Sequence, residues 1–111
     1  MTEITYKEFE KVDIRVGKII KVEDFPKARK PAYKLWIDFG DLGIKKSSAQ
    51  ITKLYEKEDL IDRLILAVTN FSPRQIADFM SEVLVLGVVL EDGEVTLIQP
   101  DRDVPLGKKI S

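Results

Sequence analysis

The sequence contains no cysteine, which excludes disulfide bonds, thiol nucleophiles and thiolate metal sites together. It contains no histidine either, so it lacks the commonest general base at neutral pH and the commonest transition-metal ligand. No pair of carboxylates stands apart from the general scatter of surface acids, and there is no glycine-rich phosphate-binding loop. The expectation is a protein that is not an enzyme and carries no metal or cofactor. The longest apolar run, Val83 to Leu90, is far short of the roughly 20 residues that cross a bilayer, and Gly87 interrupts it. No membrane insertion is expected. The opening segment, MTEITYKEFEKVDIR, has acidic residues where a secretory signal has an apolar core, which predicts a cytoplasmic location. Low-complexity tracts, solenoid repeats and Pro/Gly/Ser-rich linkers are also absent.

What is present is enough for one domain. A chain of 111 residues has room for a single core, so residues 1–111 are read as one unit. With 44% hydrophobic and 33% charged residues, the composition is that of a folded globular protein. The net charge of −1 hides a division along the chain: residues 1–57 sum to +4 and residues 58–111 to −5. An acidic protein with a basic half is suited to local, salt-sensitive contact with polyanions, and not to indiscriminate binding.

Most segments read as strands. Thr5 and Glu8 have the spacing of a capping box, which predicts a short helix ending before Asp13. Ile14 to Glu23 reads as a half-buried strand with its apolar residues chiefly at even positions, and Gly17 inside it suggests a bulge or bend. Tyr33, Leu35, Ile37 and Phe39 form one face of a second strand, with Lys34, Trp36 and Asp38 on the other. A third strand, Ile44 to Ile51, is too polar for both faces to be buried. Leu64 to Thr69 and Val83 to Leu90 have the apolar, β-branched character of central strands and are expected to supply most of the core. Asp92-Gly93 signals a hairpin that returns Val95 to Ile98 onto the preceding strand.

Several short strands with short helices, closing within about a hundred residues, predict an all-β fold with short helices. The leading candidate is a five-stranded OB-fold barrel with terminal extensions. In such a barrel the ligand lies across the middle strands between flanking loops, which directs attention to Ser48, Gln50 and the loops around Lys30 and Arg74.

Three stretches carry a resemblance: VDIRVGKI at Val12–Ile19, FPKARKPAYKLWIDFG at Phe25–Gly40 and KKSSAQIT at Lys45–Thr52. Together with the run from Asn70 to Pro100, they resemble the CsaA-type secretion chaperones. The wider superfamily is the OB-fold tRNA-binding domain appended to methionyl-tRNA and tyrosyl-tRNA synthetases. The resemblance implies a homodimer, binding of tRNA, and binding of unfolded or export-bound polypeptides. Ile4, Tyr6, Phe9 and Trp36 are apolar groups that a second copy could cover, or that pack within the chain. The superfamily commonly has glycine where Asp78 stands, and a positive φ that suits glycine would be strained at aspartate, so the loop there is expected to take a different conformation.

Two residue sets follow. Lys27, Arg29 and Lys30 in a proline-flanked loop, with Lys45, Lys46 and Arg74, form a candidate tRNA-binding set that contacts several phosphates. The basic loop reads equally as a solvated surface, and Arg74 has Glu82 as an alternative partner. Ser48, Gln50, Asn70, Phe71, Pro73, Ile76 and Ser81 form a candidate peptide-binding pocket, with Phe71 at its centre. Packing within the chain is the other reading for Ile76 and for the nearby Phe79. The same aromatic residue could also stack on an unpaired base. Two functions stay open: an export-related chaperone working without ATP, and a tRNA-binding module acting in trans with tRNA or aminoacyl-tRNA synthetases.

Overall fold

The computed structural model describes residues 1–111. Helix α1 (Tyr6–Glu10) starts at Thr5, whose hydroxyl accepts from the Glu8 amide while the Glu8 carboxylate accepts from the Thr5 amide. This reciprocal capping is the geometry that the Thr-x-x-Glu spacing predicts. There follow β1 (Ile14–Asp24), β2 (Tyr33–Asp38), β3 (Ile44–Ala49), α2 (Lys57–Leu60), β4 (Leu64–Val68), β5 (Arg74–Ile76), β6 (Phe79–Ser81), β7 (Leu84–Val85), β8 (Gly87–Val89) and β9 (Val95–Leu97).

The main sheet has the order β3-β2-β1-β4-β7. Its two ends meet, because the Glu82 and Val83 amides donate to the Lys46 carbonyl at 2.8 and 3.3 Å. The result is a nearly closed five-stranded barrel with two hairpins, β5-β6 and β8-β9, outside it. This is an OB-fold. The long strand β1 makes closure possible by pairing with β4 through its first half and with β2 through its second.

The β1-β2 register shifts between Ile19 and Lys21, so Ile20 is the extra residue. The bulge expected at Gly17 therefore falls three residues later. A bulge reverses the in-out alternation, so the inward side passes from the odd positions Gly17 and Ile19 to Val22, which packs against the core, while Ile20 is exposed. Gly17 serves close packing instead: a Cβ there would lie 2.5 Å from Ile37 Cγ2 and 2.7 Å from Phe39 Cε1. The even-position residue Val16 is buried nonetheless, beneath a C-terminal strap that pairs with β1. In that strap Gly107 donates to the Val16 carbonyl at 2.8 Å and Ile110 to that of Ile14 at 2.8 Å.

The core is Ile19, Leu35, Ile37, Phe39, Leu60, Ile65 and Ala67, with Tyr33, Ala49, Ile51 and Val83 around them. The four inward residues expected on β2 are all buried. The Val83–Leu90 run departs from its expected role as a central strand. It breaks into β7 and β8, and Leu84, Val88, Val89 and Leu90 are exposed. The predicted hairpin does form, with Val89 opposite Val95 and positive φ at Asp92 and Gly93.

Candidate functional site

A second apolar cluster lies on the outer face of the sheet and builds the site. Strand alternation turns Lys34 and Trp36 of β2 away from the core, and the β5-β6 hairpin folds over them. Phe79 is buried there, 5.5 Å from Phe25 and 5.8 Å from Trp36 in edge-to-face geometry. Ala28, Ala32 and Ile76 complete the cluster. Lys34 and Lys46 lie over the Phe79 ring at 5.4 and 5.2 Å, so their ammonium groups stand beside an aromatic floor.

The hairpin was not anticipated as such. Its two-residue turn, Ala77-Asp78, carries none of the Asn-Gly or Asp-Gly signals that mark tight hairpins. The alternation of Arg74, Gln75 and Ile76 against Phe79, Met80 and Ser81 was the available clue. The turn has its positive φ at Ala77, at 53°, and not at Asp78, a conformation that costs a non-glycine residue about 1–2 kcal/mol. Asp78 instead accepts a hydrogen bond from Lys27 at 2.9 Å. Its carboxyl is held below the usual range by that bond, and the Lys27 ammonium is held above its own by the same contact.

Between the hairpin and the Phe25–Ala32 loop runs a groove of three consecutive compartments. The first, about 550 Å³, is walled by Phe71, Ile76, Val83 and Leu84, with Ser48, Arg74 and Ser81 at its edge. The second, about 590 Å³, is lined by Lys27, Arg29, Lys30, Ser48, Gln50, Arg74 and Ile76. The third, about 310 Å³, adds Lys53 and Gly93 to Lys30 and Gln50. Shared residues join the compartments: Ser48, Arg74 and Ile76 between the first two, Lys30 and Gln50 between the last two. One end is apolar and the middle is cationic. Ser81 Oγ accepts from the Ser48 amide at 3.0 Å and fixes the hairpin to β3.

The structure thus brings together Lys27, Arg29, Lys30, Arg74, Ser48, Gln50, Phe71, Ile76 and Ser81. Arg74 is not paired with Glu82, whose carboxylate accepts from the Lys46 amide at 3.0 Å. Lys46 lies over the Phe79 ring and does not line the groove, while Lys45 belongs to the opposite face of β3, the side of buried Ser47 and Ala49. Asn70 stands outside the groove with both ends of its amide engaged. It accepts from the Asp13 amide at 3.0 Å and donates to the Lys11 carbonyl at 2.7 Å. Pro73 is exposed and does not line the groove. Trp36 packs within the chain on Phe79 and stays half-buried, Phe9 is half-buried, and Ile4 and Tyr6 are exposed. Sequence reasoning missed Phe25, Lys34 and Lys53, whose roles depend on the hairpin and the third compartment.

A separate cavity of about 420 Å³ shares no residue with the groove. Asp59, Asp62, Asp101 and Asp103 dominate its charge, with Arg63 and Arg102. That acidity fits neither an RNA backbone nor an apolar segment.

The barrel and its grooved, half-basic outer face define an OB-fold protein with a candidate binding groove. The model of the tRNA binding domain family matches residues 14–109, and the chain belongs to that family. The crystal structure of chaperone CsaA from Bacillus anthracis is similar at a TM-score of 0.95 and 52% identity, covering 99% of this chain and 100% of that one. The CsaA chaperone protein from Picrophilus torridus is similar at 0.91 and 58% identity, over 98% and 100% of the two chains. The methionine-tRNA ligase of Pyrococcus furiosus is 36% identical over 111 residues, 99% of this chain but 15% of the ligase. The likeness to that enzyme is therefore confined to a small part of its length.

Proposed function

We propose that this protein is a chaperone of the CsaA kind that holds unfolded or export-bound polypeptide segments without ATP and also binds tRNA. The observation that carries this reading is the junction of an apolar and a cationic compartment in one groove, through Ser48, Arg74 and Ile76. An apolar side chain of a polypeptide enters beside Phe71, Ile76 and Val83, where burial of apolar area supplies the affinity. Lys27, Arg29, Lys30, Lys46 and Arg74 meet phosphates of tRNA, where counterion release supplies it. Its similarity to two CsaA chaperones over the whole of those chains supports the first role.

The family match favours a second reading, a tRNA-binding module acting in trans with tRNA or aminoacyl-tRNA synthetases. Under either reading the protein acts in the cytoplasm as a homodimer. Exposed Ile4, Tyr6, Val88 and Val89 supply apolar surface for a second copy. A side-by-side salt titration of binding to total tRNA and to a labelled unfolded polypeptide, with molar mass read by light scattering, separates the readings. Salt-resistant polypeptide binding by a dimer supports the chaperone. Salt-steep tRNA binding without polypeptide affinity replaces it with the RNA module.

A further inference from the structure

The middle compartment of the groove is lined by Lys27, Arg29, Lys30 and Arg74 and by no carboxylate. The acidic group that reaches this set is Asp78, at the tip of the β5-β6 hairpin, whose Oδ2 lies 2.9 Å from Lys27 Nζ. The pair joins the Phe25–Ala32 loop to the hairpin turn beside the compartment, whose lining includes the neighbouring Ala77. The positive charge of Lys34 of β2 also helps to hold the Asp78 carboxyl below its usual range. Both partners are well exposed, with side chains 69% and 53% accessible. An exposed pair of this kind is weak and readily exchanged, and a phosphate oxygen offers Lys27 the same charge-assisted hydrogen bond.

We infer that Asp78 is a specificity-determining residue of the groove: its carboxylate occupies Lys27 as an internal anion that an RNA phosphate must displace. An uncharged apolar polypeptide segment entering beside Phe71 leaves the pair intact. The same carboxylate therefore lowers affinity for RNA and leaves affinity for apolar peptides alone. The inference rests on the proposed tRNA binding and specifies how that binding is restrained.

The experiment measures binding of total tRNA and of a labelled, uncharged apolar peptide to the full chain, its Asp78→Asn, Asp78→Ser and Lys27→Gln variants, and the Asp78→Asn/Lys27→Gln double variant, across a salt series. Both Asp78 variants are expected to bind tRNA about fivefold more tightly at low salt, because the exposed pair no longer has to be broken, and the gain is expected to shrink as salt screens that pair. Peptide affinity stays constant, and the gain disappears in the Lys27→Gln background. A gain of equal size with and without Lys27 overturns the inference, because it reports only the removal of a negative charge. So does the absence of any gain, or an equal gain for the peptide. If no form binds tRNA, the proposed tRNA binding falls and the inference falls with it, whereas binding without a gain removes the inference alone.

Discussion

Replacing Phe79 by alanine tests whether the outer cluster, and not the barrel core, holds the groove in shape. The ring is buried against Phe25 and Trp36, with Lys34 and Lys46 above it. Truncation of a packed phenylalanine costs about 3 to 5 kcal/mol, and each edge-to-face pair contributes about 0.5 to 1.5 kcal/mol beyond its buried area. The hairpin lies outside the main sheet and can settle partly into the space left, so the lower end applies, about 3 kcal/mol. For a domain of this size that lowers the melting temperature by about 12 °C, at ~4 °C per kcal/mol. The barrel core does not include Phe79, so the far-ultraviolet circular dichroism at room temperature stays native. Binding of both polypeptide and tRNA falls, because Ile76 and Arg74 ride on the displaced hairpin. Thermal and urea unfolding followed by circular dichroism, with binding measured on the folded variant, reads both effects. A loss below about 1 kcal/mol, or an unaltered affinity for both ligands, would refute the claim that this aromatic contact positions the groove.

Phe71→Ala is expected to behave oppositely. The residue is 58% exposed, so stability changes by less than about 0.5 kcal/mol while polypeptide affinity drops, as fluorescence titration with an apolar peptide would record. Lys30→Glu is expected to weaken tRNA binding and reduce the salt slope by ~0.7 to 0.9, leaving peptide binding unchanged in the same titrations. Acid stability tests Asp13. Burial pushes its carboxyl up, but hydrogen bonds from Arg15 at 2.7 Å and Thr69 at 3.1 Å, with the charges of Arg15 and Lys109, more than reverse this and leave it below its ordinary value. Its stabilising contribution is complete above the unfolded value of about 4 and is lost as pH falls below it. Denaturant midpoints measured from pH 6 to pH 2 should decline less for Asp13→Asn than for the parent. Gly17→Val should cost about 3 kcal/mol or more through overpacking, since even the first carbon meets Ile37 and Phe39; urea unfolding measures it.

The sequence by itself determined what depends on short-range chemistry. The lack of cysteine and histidine left no thiolate or imidazole group in this sequence, the Thr5–Glu8 spacing specified a capped helix, and the period-two pattern of Tyr33, Leu35, Ile37 and Phe39 specified a buried strand face. Asp92-Gly93 specified a hairpin because its preference for positive φ is local. The basic loop at Lys27 to Lys30 was visible for the same reason. Tertiary structure decided the rest. A bulge moved to Ile20 because curling β1 between β2 and β4 needs the extra residue there, which no one-dimensional pattern records. The run from Val83 to Leu90 split because one strand cannot both close the barrel and form the outer hairpin, so apolar residues expected inside became surface. Asn70 was drawn into a brace with Asp13 and Lys11, contacts 57 and 59 residues away in sequence. The groove itself exists only because Phe79 carries a short hairpin across the outer face of β2 and β3, bringing Arg74 and Ile76 beside Lys27, Lys30 and Ser48. Long-range packing of that kind sets which residues share a cavity, and sequence spacing does not encode it.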